Sequence, residues 1–294
     1  MHWRRCRARD RMSKETKAFG GNDAESFYDD GLTASMKGDL NRAIECFEKA
    51  IHLDQTLAAA YHQIAKCYLR LGRGEQAVNV LHQVVTKRPD HSAARLDLGQ
   101  ALVKTGNTDA ARQQFQQLVV LDPSNARARL GIAQAYFEDG NGPQAMQEAQ
   151  LALNTGGNNF AALFLLGRAA KMAGDIALGN STLERADKII ERTVESNPDG
   201  PEGLYLRGEV AFAREQFSTA LEHYRDARDN TDSEDPDRVF SAFGENFIRA
   251  DVYAKIGLCF QRLGKMDRAK EIGEEILRNY PDHPIAKTLV GAAE

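Results

Sequence analysis

Small residues return along this chain at a fixed step of 34 positions: Gly31, Ala65, Gly99, Ala133 and Gly167. Twelve residues behind them a second set, Ala43, Ala77, Ala111, Ala145 and Gly179, keeps the same step. Small residues in fixed phase on two stretches of helical spacing predict two helices pressed close together, because no side chain holds the backbones apart. A third set, Gly38, Gly72, Gly106, Gly140 and Gly174, falls between them. There the first helix must stop and the chain reverse, which glycine does without steric penalty. Large apolar residues complete the pattern: Phe27, Tyr61, Leu163, Leu204 and Tyr253 near the start of the unit, then Tyr68, Tyr136 and Phe260, then Phe47, Phe115 and Tyr224 on the second helix. Arg95 and Arg129 stand where the first of these positions expects an apolar residue. Pro89, Pro123 and Pro281 close repeats by denying the next backbone donor. The predicted unit is helix, turn, helix.

Beyond the fifth copy the step lengthens. Gly167 to Gly208 is 41 residues and Gly208 to Gly257 is 49, and the series Ala186, Ala227, Ile276 repeats both intervals. The first insertion, within about 187–200, carries Ile189, Ile190 and Val194 on the apolar face set by Leu183 and Ala186, which predicts two extra turns on the second helix of the fifth repeat. The second, within about 235–249, opens with Asp235-Pro236 and continues with Val239, Phe240, Phe243 and Phe247. A capping residue, a proline at the first helical position and that spacing predict an amphipathic helix. It either runs straight into the seventh repeat or breaks at Gly244 and folds back. Residues 284–294 read as a last helix covering the open end of the array.

The period, the small-residue ladders and the closing prolines resemble the tetratricopeptide repeat (TPR) family over roughly residues 24 to 283. The resemblance implies an all-α, right-handed superhelical solenoid of about seven repeats in which each repeat contacts chiefly its neighbours, with a C-terminal capping helix. It also implies a concave trough lined by the first helices, floored by positions two, five, six, nine, twelve and thirteen of each repeat. Carried over onto this sequence, position five gives Tyr28, His62, Leu96, Leu130, Phe164 and Tyr205, and position nine gives Leu32, Lys66, Gln100, Gln134, Arg168 and Glu209. An apolar and aromatic row beside a polar one suits an extended or helical peptide, with aromatic anchors supplying most of the binding energy. The same apolar row also suits packing between repeats or self-association. Phe240, Phe243 and Phe247 are a second candidate docking site, weighed against packing of those rings on the sixth repeat.

Two specialised members of the family hold features that can be checked residue by residue. The clamp that chaperone-binding members use for a terminal carboxylate would fall here on Tyr28, Leu32, Gln63, Ala93 and Asp97, or on His62, Lys66, Asp97, Arg127 and Gly131. Neither window carries the cationic and amide residues required, and Asp97 would repel a carboxylate, so the acidic tails of cytosolic chaperones are not expected ligands. The asparagine ladder of sugar-transferring relatives is absent too.

Composition narrows the field further. The chain of 294 residues has a formal net charge of −4 and a pI near 6.0, which offers no basic stripe for phosphate contacts and so no expectation of nucleic-acid binding. No apolar run is long enough to cross a bilayer, and the first residues lack the apolar core of a secretory signal. A cytoplasmic protein is expected. Arg4, Arg5, Arg7, Arg9 and Arg11 crowd a segment, residues 1–23, that is expected to be disordered. It reads either as an arm for an anionic partner or as sequence upstream of a native start at Met12, and the second reading is favoured because nothing after Met12 shares the bias.

Cys6, Cys46, Cys67 and Cys259 have no CxxC spacing; the last three fall beside apolar repeat positions and read as core thiols. His52, His62, His82, His91, His223 and His283 form no zinc motif, and the sequence around Gly72 and Gly74 has neither the spacing nor the lysine of a phosphate loop. No catalytic set, metal or cofactor is therefore expected. The expected function is a non-catalytic scaffold or adaptor that binds a peptide segment of an unidentified protein partner. The alternatives are a homo-oligomeric structural scaffold and a regulator gated by a peptide signal.

Overall fold

The computed structural model describes residues 23–157, 159–231, 236–242 and 245–291. The basic leader and Phe243 lie outside the described residues. Helices come in consecutive antiparallel pairs: α1 (Ala24–Met36) with α2 (Leu40–Leu53), α3 (Ala58–Arg70) with α4 (Gly74–Lys87), α5 (Ser92–Lys104) with α6 (Thr108–Leu121), and α7 (Ala126–Glu138) with α8 (Gly142–Gly156). They continue as α9 (Phe160–Met172) with α10 (Ile176–Ser196), α11 (Pro201–Ala213) with α12 (Phe217–Asn230), and α13 (Arg249–Arg262) with α14 (Met266–Asn279), followed by α15 (Pro284–Gly291). Each helix packs on the next, and α3 with α5, α5 with α7 and α7 with α9 also touch directly. The result is a seven-pair solenoid in which the first helices form one continuous layer.

The two small-residue ladders make the pairs close. A Cβ added at Gly31 would lie 2.6 Å from the Phe47 ring, one at Gly99 2.5 Å from Phe115, and one at Gly208 2.5 Å from Tyr224. Glycine on the first helix thus receives the aromatic ring of the second. In the repeats that carry alanine at this place, Ala65 and Ala133, the residue at the ring's register is the smaller Leu81 or Ala149, so the volumes compensate. Phe47, Phe115 and Tyr224 are all fully buried.

The first helix of six repeats ends with a glycine at positive φ, between 70° and 90° at Gly38, Gly72, Gly106, Gly140, Gly174 and Gly264. The sixth repeat departs from this: Glu215 takes the same conformation with φ 64°, and its carboxylate lies 2.7 Å from Lys171 Nζ of the preceding repeat. Entry into many first helices is capped by a side chain, as where Asp23 accepts from Ser26 N at 2.8 Å, Asn125 from Ala128 N at 3.0 Å and Asn159 from Ala162 N at 2.9 Å.

Arg95 and Arg129, the two departures from the apolar position, do not leave the fold open. The Arg95 guanidinium reaches back to donate to Pro89 O at 2.9 Å and to Gln114 Oε1 at 3.0 Å, and it also bonds Gln117. Arg129 donates to Pro123 O at 3.2 Å. The proline that closes one repeat thereby keeps a partner for its carbonyl.

The two insertions behave differently. α10 is 21 residues long, with Ile190 buried and Ile189 and Val194 half-buried on its inner face. The second insertion is not the helix that its spacing predicts. It holds a two-stranded antiparallel sheet, β1 (Phe240–Ala242) with β2 (Glu245–Phe247), pairing Phe240 with Phe247 and Ser241 with Asn246. The physical reason lies in the alternation: Phe240 and Phe247 face the protein while Ser241 and Asn246 face solvent, a period of two that aromatic-rich strands share with short helical patterns. β1 packs on α11 and β2 on α13.

Cys67 and Cys259 are buried core thiols, and burial pushes both up, Cys259 to about 12. Cys46 is a correction: it is only half-buried on α2.

Candidate protein-binding trough

The first helices are stitched to one another through the positions assigned to the trough floor. Arg70 donates to Ser35 O at 3.0 Å, joining α3 to α1. His62 Nε2 lies 2.8 Å from Asp97 Oδ2, joining α3 to α5, and its ring meets His91 edge-on at 5.0 Å. The Arg168 guanidinium of α9 lies 4.3 Å from the Phe137 ring centroid on α7 and 5.3 Å from that of Phe164. Lys171 Nζ donates to Ala213 O at 2.8 Å, and Glu209 of α11 pairs with Lys255 of α13 at 2.6 Å. Asp97, which weighs against carboxylate ligands by its charge, thus serves as the partner of His62.

The position-five row divides into an open part and a closed end. Tyr28, His62, Leu96, Leu130 and Phe164 are half-buried. Tyr28 leans on Phe47, with ring centroids 5.5 Å apart, and Phe164 stacks on Phe160 at 5.4 Å and 11°. Between them on the position-nine row, Lys66 and Gln100 are exposed, while Leu32, Gln134 and Arg168 are half-buried. Gln134 bonds Glu138 within its own helix.

At the far end the placement corrects the sequence reading. Tyr205 is only 7% exposed, because the Phe247 ring of β2 lies on it with centroids 4.0 Å apart and planes 12° from parallel. Phe240 continues the stack at 5.5 Å from Phe247. Phe240 and Phe247, 6% and 2% exposed, offer no exposed docking surface of their own. Glu209 is likewise engaged: it accepts from the Tyr224 hydroxyl at 2.5 Å as well as pairing with Lys255. Burial, and next the Glu209 charge, push the Tyr224 hydroxyl well above its ordinary range, so it stays a donor.

Two shallow cavities lie away from this row. The larger, about 540 Å³, is lined by Arg95, Gln113, Gln116, Gln117, Val120 and Leu121, and a second of about 470 Å³ by residues that include Tyr61, Gln83, Lys87 and Arg88. They occupy equivalent places one repeat apart, at the position where Arg95 and Tyr61 stand, and so belong to the architecture of the repeat. Among the described residues no cluster of histidine, cysteine and carboxylate could hold a metal ion, and no helix is long and apolar enough to cross a membrane.

An array of helix pairs with a shared first-helix layer and a row of partly open apolar platforms is a repeat solenoid of the protein-interaction class. Tetratricopeptide repeat models match residues 34–85, 62–116, 96–159, 171–235 and 251–283, and the chain belongs to the tetratricopeptide repeat family. Among solved structures it is similar to a tetratricopeptide repeat protein from Parabacteroides merdae, with a TM-score of 0.59 at 16% identity over 92% of this chain and 98% of that one. It also resembles MamA from Desulfovibrio magneticus RS-1, with a TM-score of 0.52 at 20% identity over 60% of this chain and 98% of that one. A third likeness is to the anaphase-promoting complex hetero-tetramer Cut9–Hcn1, with a TM-score of 0.56 at 17% identity over 90% of this chain and 48% of that one. At these identities the likeness is one of fold. No curated protein matches the chain.

Proposed function

We propose that this chain is a non-catalytic interaction scaffold that holds an extended or helical peptide segment of a partner protein in the trough over α1, α3, α5, α7 and α9. The observation that carries this reading is the row Tyr28, His62, Leu96, Leu130 and Phe164, half-buried on successive first helices, with exposed Lys66 and Gln100 beside it. Half-buried platforms keep apolar area to give to a ligand, and the adjacent amide and cationic groups can meet a peptide backbone. Members of this fold also act in assemblies of several chains, as the hetero-tetramer Cut9–Hcn1 illustrates by its description.

The test is affinity capture from lysate on the chain beside a Tyr28→Ala, Phe164→Ala variant, followed by titration of each protein lost from the variant capture. A partner whose affinity falls only with the variant supports the trough, and a capture set identical for both proteins overturns it. A second reading, a homo-oligomeric scaffold, draws on Val120 and Leu121, which are 80% and 71% exposed side by side at the end of α6. Two large apolar side chains standing free together are the kind of surface that associates. Light-scattering mass across a concentration series separates the readings, since only self-association raises the mass of the purified chain. A regulator gated by a peptide signal would instead change its compactness when the peptide is added.

A further inference from the structure

The hairpin has the form of a bound ligand. Its strands are three residues each, and an isolated two-stranded hairpin is at best marginally stable in water, so its position depends on what it leans against. Phe240 and Phe247 point inward as a cross-strand pair, and Phe247 lies flat on Tyr205, the position-five residue of the sixth repeat. The outward pair Ser241 and Asn246 are held to each other by a 2.6 Å hydrogen bond. At the hairpin's entry, the Tyr280 hydroxyl beyond α14 donates to Asp237 Oδ1 at 2.6 Å. Extended backbone, an aromatic side chain seated on a position-five platform and a polar tether at one end are what a peptide in this trough would show.

The contrast along the row supports this account. Phe164, the same position one repeat earlier, is half-buried with no ring from another element stacked on its open side among the described residues, whereas Tyr205 is covered. The difference comes from an insertion that the other repeats lack.

We propose that β1 and β2 are an intramolecular ligand filling the aromatic subsite of the trough at α11 and α13, and that a partner segment of the same chemistry, extended and carrying an aromatic side chain, competes with them for Tyr205. This rests on reading the trough as a peptide-binding surface. The hairpin sets the end of the groove in the resting chain, and a partner with a suitable ring gains the sixth repeat by displacing it.

The probe is a fluorescently labelled synthetic peptide of residues 236–248, titrated against the full chain, a Phe240→Ala/Phe247→Ala variant, and that variant with Tyr205→Ala added. The double variant is expected to bind at least about tenfold more tightly than the unmodified chain, because its subsite is empty, and the added Tyr205→Ala to abolish the gain. Equal affinity for the first two proteins, or a gain that survives Tyr205→Ala, overturns the proposal. A second measurement needs no variant: hydrogen exchange of the β1 and β2 amides in the unmodified chain should speed up at saturating peptide, and unchanged protection overturns the proposal equally. Phe164 is untouched in these experiments, so their failure leaves the trough reading to its own variant.

Discussion

Phe247 and Tyr205 are stacked with their ring centroids 4.0 Å apart, Tyr205 from the first helix of the sixth repeat and Phe247 from the insertion that separates the sixth repeat from the seventh. This contact buries a position-five residue in the core, and it separates two substitutions that look alike in sequence.

Phe164→Ala should weaken a trough partner by about 1–3 kcal/mol while costing less stability than the loss of a buried ring, because the ring is only half-buried. Tyr205→Ala should do the reverse and lower stability by about 3 kcal/mol through loss of a buried ring and its stack. Chemical denaturation of both variants beside partner titration checks this, and equal stability loss in the two would contradict the division of the row.

Glu209→Ala should destabilise by about 1–3 kcal/mol, since it leaves the buried Tyr224 hydroxyl without its acceptor. Glu209→Gln keeps an acceptor oxygen and should recover part of that loss. Urea melts of the pair test whether the hydroxyl, in addition to the Lys255 ion pair, matters.

Glu215→Gly should stabilise the chain by up to about 1 kcal/mol, because it relieves the left-handed conformation of a residue with a side chain. The ion pair lost with Lys171 is at a position where Glu215 is largely exposed, and such pairs contribute little. A lower melting midpoint would show that the ion pair outweighs the strain.

Gly99→Leu should cost several kcal/mol wherever a partner binds, since even a Cβ would sit 2.5 Å from Phe115 and a larger side chain forces the pair apart. Gly99→Leu combined with Phe115→Ala should recover part of the loss, because the intruding and yielding groups then exchange volume. Thermal melts of the two variants decide it.

Stability should fall as pH drops below about 6.5, in part through His223. Burial, then Arg207, holds its folded value below the ordinary one of 6.5. The unfolded chain therefore takes up this proton first, so the folded state is favoured above that pH and loses ground below it. His223→Gln should flatten the slope of melting temperature between pH 7 and about 5.

The ladder that runs through Gly31, Gly99 and Gly167 determined the helix pairs, their register and the family, because close backbone approach leaves a residue-size requirement at fixed intervals. The long α10 was legible for the same reason: its extra apolar residues continue an established face. Arg95 and Arg129 show how much a departure from pattern conceals, since their bonds to Pro89 and Pro123 carbonyls depend on where those carbonyls point in space. The burial of the position-five row was decided by tertiary structure alone. Phe240 and Phe247 have spacing compatible with a helix or a hairpin, and only the presence of α11 and α13 on either side selects the pairing that buries both rings. Whether Tyr205 is a platform or part of the core depends on a contact across 42 residues of chain, which no local period encodes.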